Sequence, residues 1–156
     1  MKGKNKNIVL ETHQLSIGYR EKNTVHEIQS DIKMTVHKGE MIAVLGKNGI
    51  GKSTLLRTLT KVQPSLQGET LIDQKNLEDH TLQELSKKVS LVLTERLPDS
   101  QLTVFELVAL GRQPYTNWIG KLSEEDLEHI QWSLEQTETK DLANKHFYEL
   151  KENSLK

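Results

Sequence analysis

The spacing of apolar residues changes character from one end of the chain to the other. Ile28, Ile32, Met34 and Val36 alternate with Gln29, Asp31, Lys33, Thr35 and His37, the period of two of a half-buried strand. Upstream, Ile8 to Ile17 reads as a first strand that Gly18-Tyr19 ends. Lys38-Gly39-Glu40 is a turn, and Met41-Ile42-Ala43-Val44-Leu45 after it is a short continuous apolar run, the pattern of a buried strand. A helix from Ser53 runs through Leu55, Leu56 and Leu59 and ends before Pro64. Gly68 to Asp73, with Leu71 and Ile72, predicts another strand, and Val89 to Leu93 a further buried one.

The second half turns helical. Thr81-x-x-Glu84, Thr103-x-x-Glu106 and Ser123-x-x-Asp126 each place a hydroxyl three residues before a carboxylate, the arrangement of a capping box at a helix start. Leu127, Ile130 and Leu134 follow with helical spacing, and Gly111 to Gly120, holding Pro114, Tyr115 and Trp118, reads as a loop. Strands first and helices after predict a mixed α/β architecture without internal repeats.

Composition narrows the function. A chain of 156 residues is one ordinary domain. With 35% apolar and 4% aromatic residues its core must be mainly aliphatic, and a net charge of −1 gives no electrostatic case for nucleic acid. The absence of cysteine removes disulfides, thiol nucleophiles and thiolate metal sites. The basic stretch Met1 to Asn7 imitates the start of a signal peptide, but the apolar Ile8-Val9-Leu10 is too short to follow it as one. No run approaches the ~20 apolar residues of a membrane span, so any membrane role is expected to come through a partner. The six histidines lack metal-ligand spacing. Glu124, Glu125, Asp126 and Glu128 read as a solvated face opposing a helix dipole.

The chemistry lies between the buried-strand pattern and the first helix. Gly46-Lys47-Asn48-Gly49-Ile50-Gly51-Lys52-Ser53-Thr54 is a complete G-x-x-x-x-G-K-[ST] phosphate loop. The backbone N–H groups of such a loop turn inward on a phosphate, and the helix start adds partial positive charge. Lys52 is expected to neutralise β- and γ-phosphates, and Ser53 to place its hydroxyl on Mg²⁺. The loop sits where open α/β sheets place ligands, at the C-terminal end of a central strand.

Asn48 narrows the loop to G-x-N-G-x-G-K-S-T, which resembles the ATP-binding subunits of ABC transporters. Tyr19, in Leu15-Ser16-Ile17-Gly18-Tyr19, resembles the aromatic residue that stacks on adenine there. The run from Thr103 to Tyr115 and the Ser123-Glu124-Glu125-Asp126 start resemble the helical subdomain of iron–siderophore, haem and cobalamin importers. The resemblance covers about Ile8 to Leu150. It implies a P-loop NTPase core at 37–95, an N-terminal antiparallel β subdomain at 1–36 and a helical subdomain at 96–150. It also implies ATP and Mg²⁺ at Gly46, Asn48, Gly49, Gly51, Lys52, Ser53 and Thr54. A homodimer sandwiching two ATP, a transmembrane permease partner and a place on the inner face of the plasma membrane follow from the same resemblance, with Tyr115 and Trp118 near the groove that meets the permease.

Departures from the family pattern are local. The position that usually carries a Mg²⁺- and water-binding Gln matches Glu95, which the resemblance makes a catalytic and metal candidate. After Glu149-Leu150 the family reads Leu-Ser-Gly-Gly-Gln, whereas this chain reads Lys151-Glu152-Asn153-Ser154-Leu155-Lys156. The expectation is a subunit truncated at the signature motif, with 151–156 a degenerate tail and the C-terminal part missing. An Asp-Glu strand and a switch histidine are absent from the sequence, and His146 precedes the motif. Two alternatives stand beside an importer ATPase. One is a module that binds ATP without hydrolysis. The other is a small metabolite kinase, disfavoured because Arg20, Arg57, Arg96 and Arg112 form no clamp. The 156-residue chain is expected to bind Mg-ATP with ATPase activity near background. Steady ADP release that Lys52→Ala abolishes would contradict that expectation.

Overall fold

The computed structural model describes residues 7–22, 24–92, 100–116 and 120–153. The chain forms two compact units, Met1–Leu91 and Val92–Lys156.

The first unit is organised by an antiparallel sheet of order β2-β1-β3-β4. Its strands are β1 (Ile8–Glu21), β2 (Thr24–His37), β3 (Gln67–Ile72) and β4 (Lys75–Asn76). The period-two pattern decides which face of β2 is buried. Ile32 and Met34 pack with Leu10 and Leu55 against the buried cluster of Leu15, Ile17 and Leu59. Leu55 and Leu59 belong to helix α1 (Lys52–Leu59), so one face of the sheet is covered by the helix that follows the loop at 46–51.

Four register slips interrupt the long hairpin, at Ile8/Leu10 and Ile17/Gly18 towards its ends and at Thr12/Leu15 and Leu15/Ile17 in the middle. Gln14 and Asp31 adopt positive φ there, at 47° and 52°, as bulged residues do. Thr12, only 2% exposed, spans the disturbance. Its hydroxyl donates to the Ile32 carbonyl at 3.0 Å and accepts from the Met34 N–H at 2.9 Å. A buried hydroxyl thus satisfies backbone groups of the neighbouring strand.

Three sequence expectations are corrected in this unit. Gly18-Tyr19 does not end the first strand, because β1 continues to Glu21 and pairs Gly18 with Glu27 and Tyr19 with His26. Gly18 marks a close approach instead. A Cβ there would lie 2.0 Å from the His26 carbonyl oxygen, so only glycine lets the two strands meet. Met41–Leu45 does not form a strand, and neither do residues 89–92 of the Val89–Leu93 prediction. A continuous apolar run becomes a buried strand only when neighbours pair with both of its edges, and none does so among the described residues. Met41 and Leu45 are 98% and 88% exposed in consequence. The second cluster of the unit joins Ile72, Leu77 and Leu85 with Leu10 and Val89, and Leu85 lies on the short helix α2 (Leu82–Ser86).

The second unit is helical. α3 (Val104–Ala109) and α4 (Glu124–Gln136) pack through Val104, Ile130 and Leu134, with Phe105, Val108, Leu122 and Leu142 around them. α5 (Phe147–Asn153) occupies ground read from the sequence as the approach to a degenerate tail. Backbone bonds tie its start to the start of α3: Val104 N–H donates to the Lys145 carbonyl and Phe147 N–H to the Leu102 carbonyl.

All three predicted capping boxes form, at Thr81/Glu84, Thr103/Glu106 and Ser123/Asp126. The acidic cluster at the start of α4 divides in two. Glu124, Glu125 and Glu128 face solvent, whereas Asp126 is buried and receives the Arg112 Nε–H at 2.8 Å. The bond from the Thr81 backbone N–H, then Lys75, holds the Glu84 carboxyl at about 2 rather than 4.5. The Ser123 backbone N–H and hydroxyl, then Arg112, hold that of Asp126 at about 2 rather than 3.8.

Two predictions follow from these contacts. Thr12→Val strands a buried N–H and is expected to lose about 1–3 kcal/mol, while Thr12→Ser retains most of the stability. Equal urea midpoints for wild type and Thr12→Val would contradict the bridging role. The second concerns acid. Folding depresses the pKa of Glu84 and Asp126, so their contribution is complete above the unfolded values and disappears as pH falls through about 2. The thermal midpoint is expected to drop between about pH 4.5 and pH 2, with a shallower drop in Glu84→Gln/Asp126→Asn. Parallel profiles would contradict it.

Candidate functional site

The loop at 46–51 ends where α1 begins, and the residue at that junction determines the site. Gly51 is the N-cap of α1, at φ 107° and ψ 8°, with no side chain bonded to the helix end. Its Cβ, were there one, would lie 2.6 Å from Ile28 Cγ2. Conformation and space both require glycine. In contrast, α2, α3 and α4 each have their first N–H groups engaged by a capping box. The opening turn of α1 therefore keeps its N–H donors and partial positive charge for a ligand.

Lys52 follows Gly51 as the first helical residue. A lysine here opposes the helix dipole unless an anion is also present. Its ammonium folds back over the loop, donating to the Gly46 carbonyl at 2.7 Å and the Lys47 carbonyl at 2.9 Å. The turn beneath it is closed by the Ile50 N–H on the Lys47 carbonyl. Gly46, Asn48 and Gly49 lie on the exposed rim, and Ser53 is exposed on the first turn of α1.

The charge pattern suits an anion. No Asp or Glu occurs between Glu40 and Glu69, while Lys47, Lys52, Arg57 and Lys61 all fall in that stretch. The segment is positive in a chain that is nearly neutral overall. Phosphate oxygens fit this donor set of uncapped helix N–H groups, an ammonium and a neighbouring hydroxyl. Beside the loop lies a cavity of about 150 Å³ with Ile17, Ile32, Ile50 and Leu55 among its walls. Aliphatic side chains of the sheet, of α1 and of the loop thus line one space.

Tyr19 comes from a distant part of the sequence and meets this helix. Its hydroxyl lies 2.9 Å from that of Thr54, within hydrogen-bonding distance. Thr54 is 4% exposed and its carbonyl accepts the Thr58 hydroxyl, whereas Tyr19 is 43% exposed. Two further bonds hold the end of β1. Gln63 donates its side-chain amide to the Gly18 carbonyl, and Arg20 donates to the Leu66 carbonyl at 3.0 Å. The structure accordingly brings Tyr19, Lys52, Ser53 and Thr54 to one end of α1. Glu95 lies outside the described residues, as do Arg96 and Trp118.

Sequence reasoning missed the contacts that join these pieces. No spacing rule connects Tyr19 to Thr54, or Ile28 to Gly51. Arg112 likewise reaches Asp126 across a loop, with Tyr115 stacked 4.1 Å from its guanidinium carbon. His146 places Nδ1 2.6 Å from the Gln101 carbonyl and stacks on Tyr148. Among the described residues no group of acidic, histidine or cysteine side chains is arranged to hold a metal ion, and no helix is long and apolar enough to cross a membrane.

Comparison with known proteins gives one consistent family. The family model described as ABC transporter matches residues 29–154. The iron(3+)-hydroxamate import ATP-binding protein FhuC of Bacillus subtilis is 34% identical over 128 residues, covering 82% of this chain and 46% of that protein. The petrobactin import ATP-binding protein FpuD of Bacillus anthracis is 31% identical over 141 residues, covering 90% and 50%. An uncharacterized ABC transporter ATP-binding protein of Methanocaldococcus jannaschii is 34% identical over 142 residues, covering 91% and 48%. The chain thus spans about half the length of the curated relatives it matches. Among solved structures, a dimeric ATP-binding cassette bound to ADP and phosphate superimposes with a TM-score of 0.71 at 21% identity, covering 89% of this chain and 62% of that one. A nucleotide-free cassette gives 0.68 at 24% identity, covering 89% and 57%. At these identities the superpositions establish a shared fold.

Proposed function

The chain belongs to the ABC transporter family, and on that premise we propose that it is the ATP-binding part of an importer for iron–siderophore, haem or cobalamin complexes. The observation that carries the nucleotide site is the start of α1: an uncapped helix end, the Lys52 ammonium folded across the loop, and Tyr19 bonded to Thr54. The importer class is supported by relatives named for iron(3+)-hydroxamate and petrobactin import.

In this reading the N–H groups at 49–54 and the Lys52 ammonium hold the phosphates, and Lys52 exchanges its two carbonyl contacts for phosphate oxygens. Ser53 presents its hydroxyl to Mg²⁺, with Glu95 as a second candidate ligand. Bound Mg²⁺ would neutralise phosphate charge during in-line attack by water. Tyr19 offers its half-exposed ring to adenine. Two copies sandwiching ATP then act on a permease partner, at the inner face of the plasma membrane, to move the cargo.

Calorimetric titration with ATP in Mg²⁺ tests the site. Lys52→Ala removes a charged contact worth about 1.5–3 kcal/mol, and binding is expected to weaken at least about tenfold. Tyr19→Ala is expected to lose about 1–3 kcal/mol of base stacking, and Tyr19→Trp to retain it. Unchanged affinity in Lys52→Ala removes the phosphate-loop assignment. Unchanged affinity in Tyr19→Ala reduces Tyr19 to a strand residue.

A further inference from the structure

We propose that the Thr54 hydroxyl is a positioning group for the Tyr19 ring, and that this pair sets the preference of the site for nucleotides over bare polyphosphates. The inference rests on the nucleotide-binding reading above and adds the selectivity device within it.

Thr54 faces inward from α1 and is 4% exposed, so its hydroxyl needs a partner within the protein. The Tyr19 hydroxyl supplies one at 2.9 Å, across 35 residues of sequence. Tyr19 has the opposite problem. It is 43% exposed, two residues before the end of β1. A bond at its far end, added to the backbone pairing with His26, holds the side chain at both ends. The Gln63 and Arg20 bonds to the Gly18 and Leu66 carbonyls secure the backbone on either side. A ring ordered before the ligand arrives loses less freedom on binding.

The base and the phosphates are thereby coupled through one residue. Thr54 follows Lys52-Ser53 in the same helical turn, so the group that orients the ring is fixed to the element that would hold phosphate. A ligand with a planar base gains from the ordered ring, whereas inorganic tripolyphosphate makes no use of it. Thr54 is in this sense a positioning residue that acts through Tyr19.

The test is the ratio of ATP affinity to inorganic tripolyphosphate affinity, by calorimetry on the full chain in Mg²⁺. Tyr19→Phe keeps the ring and removes its hydroxyl, and Thr54→Val removes the partner. Each is expected to lower the ratio about three- to tenfold, the effect of one net hydrogen bond. The double variant should fall no further than either single one, and Thr54→Ser should restore the wild-type ratio. An unchanged ratio in Tyr19→Phe, or additive losses in the double variant, overturns the positioning role. Tyr19→Phe, which deletes one oxygen from a half-exposed side chain, keeps the test decisive if Thr54→Val disturbs α1. Failure of the wild-type chain to bind both ATP and tripolyphosphate would instead sink the nucleotide reading beneath it.

Discussion

Gly51 starts α1 in a left-handed conformation, and Ile28 from β2 fills the space that a side chain there would need. Much of the chemistry of residues 46–54 depends on that contact. With a hydroxyl or carboxylate cap in place of Gly51, the first N–H groups of α1 would be bonded internally, as they are in α2, α3 and α4. A capped helix end has less to offer an anion. The sheet, by pressing Ile28 against the loop, also fixes where the open helix end faces. Fold and site are therefore parts of one arrangement. The aliphatic cluster of Leu15, Ile17 and Leu59 holds α1 on β1, and β1 carries Tyr19 to the same helix.

Capping chemistry thus divides the helices into two kinds. α2, α3 and α4 spend a hydroxyl and a carboxylate to complete their own backbone bonds, and the carboxylates of Glu84 and Asp126 are held strongly acidic as a result. These helices are local supports. The Arg112–Asp126 pair adds a second tie, from the turn after α3 to the first turn of α4. α1 alone among these four opens on an uncapped glycine followed by lysine, in a stretch free of acidic residues.

Local patterns were legible in the sequence where a few neighbouring residues determine the outcome. The alternation of Ile32, Met34 and Val36 gave β2 its buried face, and each capping box formed where its hydroxyl and carboxylate stood three apart. Tertiary requirements were not legible. Met41–Leu45 has the composition of a buried strand, yet strand formation depends on partners that composition cannot specify. Gly18 looked like a stop signal, but its role is set by how closely His26 approaches from the adjoining strand. Asp126 looked like one more solvated acid of its cluster, because nothing local announces an arginine fourteen residues upstream. The G-x-x-x-x-G-K-S pattern of residues 46–53 is legible because it is continuous. The Tyr19–Thr54 hydrogen bond joins two readings that the sequence offered separately.

The proposed site rests on ligand phosphate binding at the open start of α1. Amide hydrogen exchange, followed residue by residue before and after addition of Mg-ATP, addresses it directly. Protection is expected to rise most at Gly49 to Thr54, with the N–H groups of α2, α3 and α4 little changed. Nucleotide binding that leaves the exchange of Gly49 to Thr54 unaltered would contradict it.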